Sequence, residues 1–406
     1  MTRSAAPVAP IAGGGAAKVG HFYPVDMVRV LTFACVIGVH TIATLISLDS
    51  ISAGGAAMLL HFTRESFFAL TAFVLVHRYR DKLAGKLTIL RFWRRRYLLV
   101  GVPYLAWSVI YSVLGFSLAP VPAGTAVTLF GRNLLTGNAW YHLYFLIVTM
   151  QFYLVFPLFL WFLRATRRWH GWLLVGSGVL QVGIDAGLRA ANPSGGWAAT
   201  LWHYDGSFLG TYTFYLLLGG VAAWHAEQAQ AWVRRHPTTV VVALLVTGVA
   251  AEGWYLKQVA DGAPATAASD VFQPVVVPWC LASITALFAL GVFWAGRRAG
   301  GPGSRIVEAS SDRSFGVFLI HPMMLWIMTL GPAAWLSAHL PPIGMAAVAY
   351  VVVIGMSLLV VELLRRTSLS QVLTGKSRAL RGSAVQSNKS EPSAPAPPVT
   401  LGAGRT

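Results

Sequence analysis

Chemistry is most concentrated in two segments of this sequence. In PVDMVRVLTFACVIGVHTIATLIS, residues 24–47, Arg29 and His40 interrupt an otherwise mostly apolar run. Eleven residues at about 100° each pass three full turns by roughly 20°, so on a helix both side chains leave the same face, about 16 Å apart along the axis. That stripe suits a polar channel with a guanidinium at its mouth and an imidazole at its base. An unperturbed imidazole titrates near pH ~6.5, so at neutral pH it has a lone pair ready to take a proton, the property a general base needs. The plainer alternative is an arginine reaching back to the headgroups and a histidine capped by a carbonyl. In MLLHFTRESFFALTAFVLVHRY, residues 58–79, His61 stands three residues before Arg64 and four before Glu65, which puts all three on one helix face. Glu65 can pair with a nearby cation or hold an imidazole in one tautomer; a self-neutralised structural cluster is the competing reading.

Further polar groups recur in apolar surroundings. His142 and Gln151 lie in GNAWYHLYFLIVTMQFYLVFPL. Nine residues correspond to about half a turn beyond two turns, so on a regular helix the two face opposite sides and at most one lines a given channel. His321 precedes Pro322 in SFGVFLIHPMMLWI. The proline removes a backbone donor and so frees a carbonyl that a polar site can use, or it serves only as a kink. Asp185 and Arg189, one turn apart, read as a structural pair. Arg91, Arg94, Arg95 and Arg96 form a basic cluster in RFWRRRYLLVGVPYLAW. Guanidinium groups are well suited to phosphate, although the same cluster also fits plain topological charge.

The elements that must hold these groups are membrane helices. Of the 406 residues, 56% are hydrophobic and 11% charged, and the mean hydropathy is +0.61. Soluble domains carry about 25% charged residues. Ten apolar runs are long enough, or nearly so, to cross a bilayer: roughly 25–48, 56–77, 97–117, 141–163, 171–188, 208–224, 239–256, 276–296, 315–335 and 343–364. The expected fold is an all-α integral membrane protein, a polytopic bundle of about ten transmembrane helices. Twenty-six of the 31 Lys and Arg residues fall in alternate connections and the two tails, which by the positive-inside rule makes both termini cytoplasmic. The net charge of +17 is then topological bias and attraction to lipid headgroups, and nucleic acid is not an expected partner. Residues 1–21 and 367–406, rich in Ala, Gly, Ser and Pro, are expected to be disordered tails around a membrane domain at 22–366. Cys35 and Cys280 both lie within apolar runs, so neither a disulfide framework nor a metal site is expected. No Walker-type glycine loop points to an ATP-driven pump.

Taken in order, the Arg-x10-His of Arg29 and His40, FFALTAFVL, the basic run before Pro103-Tyr104, HLYFLIVTMQFYLVFPL and SFGVFLIHP resemble the acyltransferase-3 family of membrane O-acyltransferases over most of residues 22–364. The nearest flavour is the polysaccharide or sugar O-acyltransferase branch. The resemblance implies transfer of an acyl group, acetyl or another short acyl, from acyl-CoA to a hydroxyl of a glycan, glycolipid or secreted metabolite, with no bound cofactor. It implies that His40 is the general base or the acyl-relaying histidine, and that Arg29 holds a donor phosphate or positions the histidine. It also makes Arg91 and Arg94 the best match to the family's Arg-x-x-Arg element, which would dock coenzyme A. Glu65 is then a candidate to orient His40, while His61, Arg64, His142, Gln151 and His321 are candidates for substrate contact. Thr71-Ala72 and Thr149-Met150 depart from the Ser-Gly and Glu-Glu pairs of many relatives, which leaves the acceptor open. The Ala-, Gly-, Val- and Arg-heavy usage suggests a high-GC bacterium, hence its cytoplasmic membrane. A transporter or flippase for a polysaccharide or lipid-linked intermediate is the alternative; it would need paired gates and an acceptor-sized pore.

Overall fold

The computed structural model describes residues 21–83, 85–190 and 196–378. Among these residues there is no strand. The helices are α1 (Pro24–Leu45), α2 (Ile51–Leu60), α3 (Phe62–Tyr79), α4 (Lys86–Leu118), α5 (Ala123–Thr136), α6 (Tyr144–Ala165), α7 (His170–Ala190), α8 (Gly196–His203) and α9 (Thr213–Trp224). They continue as α10 (Ala226–Arg235), α11 (Pro237–Ala260), α12 (Ala265–Ala268), α13 (Val276–Arg297), α14 (Pro302–Thr329), α15 (Pro332–His339), α16 (Pro342–Arg365) and α17 (Ser370–Thr374).

Counting α2 and α3 together, eight of these are long and apolar enough to span a bilayer, while α14 and α15 are apolar and long enough together but bent by 63° at the break between them. The run expected at 208–224 is apolar but shorter, because Leu209–Tyr212 winds as a 3-10 turn before α9 begins. All ten expected runs therefore fall on helices, and the protein is an all-α, polytopic membrane protein. Valines and leucines exposed along α7, α11 and α16 would be costly in water and are at home against lipid tails.

α1 is the hub of the bundle, packed against α3, α13, α14 and α16. Small residues set the tightest contacts. A side chain at Gly219 of α9 would run into the carbonyl of Ala69 in α3, and one at Gly291 of α13 into the carbonyl of Pro24 in α1. Close backbone approach of this kind is how helices associate where hydrophobic driving force is missing.

Two sequence expectations change. Part of the expected C-terminal tail is folded: Ser370 and Thr374 of α17 are buried, Trp107 Nε1 donates to Leu373 O (2.9 Å), and Lys376 Nζ pairs with Asp312 (2.7 Å). Polar composition hid these anchors, since each partner lies far away in the chain. The rest of that tail, from residue 379, and residues 1–20 lie outside the described residues. Asp185 does not pair with Arg189. It is buried and accepts from Gln181 Nε2 (2.9 Å), while Arg189 reaches Gln258.

Candidate active site

α1 and α14 lie side by side and run in the same direction. Arg29 Nη1 donates to Ser311 Oγ (3.2 Å), Phe33 meets Phe318 (ring centroids 5.9 Å), and His40 lies beside His321 (5.4 Å, planes 29° apart). Residue numbers rise together on both helices, eleven from Arg29 to His40 against ten from Ser311 to His321. At about 1.5 Å per residue the two rungs stay in step. The stripe inferred for α1 therefore meets a matching stripe on α14. At the lower rung Ser311 Oγ also donates to Asp26 Oδ1 (2.8 Å), and Asp26 Oδ2 is bonded to His21 Nε2 (2.5 Å).

At the upper rung three imidazoles converge. His321 is fully buried, and its Nδ1 donates to the Phe318 carbonyl at 2.8 Å, with Val317 O at 3.3 Å. Phe318 is four residues before Pro322, so its carbonyl has lost the backbone donor an α-helix would supply. The proline frees an acceptor and the histidine beside it takes it. A carbonyl can only accept, so Nδ1 carries the hydrogen and Nε2 has the lone pair; Nε2 is buried without a partner. His142 lies in the turn just before α6, its ring 5.6 Å from that of His321 and 5.3 Å from that of Tyr111, with both nitrogens buried and unbonded. Tyr141 covers the other side of His40 at 4.7 Å.

Of these groups, His40, His142 and Phe318 border a cavity of about 210 Å³, lined also by His61, Thr63, Arg64, Phe67 and Tyr144, among others. Arg64 is closed off by its own partners. Its Nε and Nη2 donate to Glu65 Oε1 (2.9 and 2.7 Å), and its guanidinium lies over the rings of Tyr212 (5.0 Å) and Phe272 (4.7 Å). Glu65 thus serves Arg64, and no hydrogen bond joins it to His40. His61 Nε2 donates to Ser269 O (2.6 Å), tying α2 to the loop before α13.

Gln151 is not brought to this cavity. Its Nε2 donates to Ser207 O (2.8 Å) and its Oε1 accepts from Leu209 N (2.9 Å), pinning the 3-10 turns ahead of α9. His142 and Gln151 do separate as the half-turn offset requires, although His142 is not itself in the regular helix. In the basic run, Arg91 and Arg94 are exposed on α4, Arg91 Nε touching only Leu87 O (3.3 Å). Arg96 points inward, stacked over Tyr79, Phe92 and Tyr153 at 5.4, 5.9 and 5.8 Å.

Sequence reasoning missed Ser311 and Tyr141, and named Arg96 only as part of the basic cluster. Ser311 had no periodic signal, since ten residues before His321 fall about 80° short of three full turns. The other two owe their place to helices that meet only in the fold. Among the described residues no cluster of His, Cys, Asp and Glu is arranged to hold a metal ion.

A multi-pass helical bundle with a buried, imidazole-lined cavity on its hub helix is the frame of an integral membrane enzyme. Residues 22–362 match the model of the acyltransferase-3 family, described as an acyltransferase domain, and the chain belongs to that family. It is accordingly a membrane acyltransferase, and the transporter reading is not favoured. No curated protein and no solved structure matches the chain.

Proposed function

We propose that the protein transfers an acyl group from acyl-CoA to a hydroxyl of a glycan, glycolipid or secreted metabolite, with His40 as general base. The observation that carries this reading is an imidazole on the cavity wall with no hydrogen-bond partner among the described residues, flanked by Tyr141 and His321. A hydroxyl attacks a thioester efficiently only if its proton is removed as the new bond forms, which a positioned base accelerates by about 10²- to 10⁴-fold. The hydroxyl oxygen bonds the acyl carbon, its proton goes to His40, the C–S bond breaks, and the imidazolium returns the proton to the departing thiolate.

With both termini cytoplasmic, as the basic residues imply, the Arg29 rung faces the cytoplasm and His40 lies in the outer half of the membrane. Arg91 and Arg94, exposed at the cytoplasmic end of α4, are free to meet the donor's phosphates. In this reading Arg29 holds the donor on its way to His40. The acceptor enters the cavity beside His61, Arg64 and His142. The membrane concerned is the bacterial cytoplasmic membrane.

The test uses the full-length protein in membranes from its own cells, supplied with radiolabelled acetyl-CoA. Label should pass into the glycan, lipid or secreted fraction with wild-type protein and not with His40→Ala. Equal transfer by the variant would overturn the assignment of the base.

A further inference from the structure

We infer that His321 is a positioning residue for His40: its Nε2 accepts a hydrogen bond from one ring nitrogen of His40, fixing the tautomer whose other nitrogen takes the acceptor proton. The inference rests on His40 being the base. A general base is usually held through its second nitrogen by a third group. Glu65, the carboxylate nearest in sequence logic, gives Oε1 to Arg64 and makes no hydrogen bond to His40. His321 meets the requirement in its place, because its Nδ1–H is consumed by Phe318 O and its Nε2 is left as a buried acceptor without a donor.

The separation is right for such a bond. His170 Nδ1 and His225 Nε2 are hydrogen-bonded at 2.9 Å with ring centroids 5.2 Å apart. His40 and His321 stand at 5.4 Å, but with planes 29° apart against 85° in that pair, so the bond requires the unanchored His40 ring to turn. Catalytic hydrogen bonds are commonly long in an empty site and tighten when substrate binds. During transfer the hydroxyl O–H breaks and its proton goes to the free nitrogen of His40. The resulting imidazolium keeps its second N–H on His321 Nε2, and the first proton leaves with the coenzyme A thiolate when the C–S bond breaks. His321 ends the cycle unchanged.

The amide of glutamine carries an N–H donor and an oxygen acceptor in the same 1,3 relation as the two ring nitrogens, so it can substitute where a hydrocarbon cannot. With acetyl-CoA as donor and native membranes as acceptor, His321→Ala should slow turnover by about 10²-fold, the scale expected for a misplaced base, while the donor KM stays within about twofold. His321→Gln should recover at least about tenfold of that loss. If His321→Ala does not fold, as judged by gel filtration and thermal unfolding in detergent, His321→Met replaces it as the variant without an acceptor of this strength. A Gln variant no faster than Ala or Met, or an Ala variant at full rate, overturns the inference. Because His40→Ala is run alongside, failure of this inference alone leaves that variant dead, whereas a live His40→Ala refutes the base itself.

Discussion

The cavity has two walls built from ionisable groups, and they differ in one respect. On the α3 wall, Arg64 Nε and Nη2 both bond Glu65 Oε1 and the guanidinium lies against two aromatic rings, so the two charges offset each other although Glu65 Oε2 has no partner. On the wall made by α1, α14 and the start of α6, His40 and His142, with His321 behind them, have ring nitrogens that nothing in the described protein bonds. Buried charge in a membrane is tolerated when paired, so the charges of the first wall are compensated as they stand. An unpaired buried nitrogen costs free energy that folding alone does not recover. The difference separates a group that holds the bundle together from a group that waits for a substrate.

The largest expected effect sharpens this contrast. His40→Ala should lower transfer from acyl-CoA by about 10²- to 10⁴-fold, or about 3–5.5 kcal/mol of barrier, without changing the thermal unfolding midpoint in detergent. A matching loss of stability would place His40 with the structural wall. On the opposite wall, Glu65→Ala leaves a buried guanidinium uncompensated, and a loss of about 3–5 kcal/mol in stability is expected. Glu65→Gln keeps an acceptor for Arg64 and should lose less, both in the melting curve and in turnover. If Glu65→Ala melts normally yet transfers nothing, the carboxylate belongs to the chemistry.

The same contrast extends to the basic run of α4. Replacing both Arg91 and Arg94 with Gln should raise the donor KM, each arginine contributing about 1.5–3 kcal/mol if it bonds a phosphate, with membrane insertion intact. An unchanged KM would reduce them to topology signals. Arg96, stacked over three rings, should instead register in the melting curve. The smallest effect is expected from Gln151→Leu, which loses both clamps on the turns ahead of α9 and should cost about 1–3 kcal/mol of stability, leaving KM for donor unchanged in steady-state assays.

Much of the fold was legible before any coordinates. Runs of apolar residues near bilayer thickness can hardly be anything but helices, because lipid offers no partner to an unpaired backbone, and all ten runs became helices. The run at 208–224 fell short because a 3-10 turn takes its first residues, a local winding that hydropathy does not register. Within the site, the shared face of Arg29 and His40 followed from helical periodicity alone, as did the release of a carbonyl by Pro322.

Partner choice was not legible. The sequence offers Glu65 to an imidazole four residues away or on another helix, yet the long side chain of its neighbour Arg64 curls onto it. Asp185 turns to Gln181 and leaves Arg189 to Gln258 for the same reason: burial decides which of several partners within reach a polar group takes. Sequence periodicity thus determined which residues share a face of each helix. Only the tertiary structure decided that α14 runs parallel to α1 with Ser311 and His321 in step with Arg29 and His40, since the pairing of faces depends on side-chain packing between segments almost three hundred residues apart.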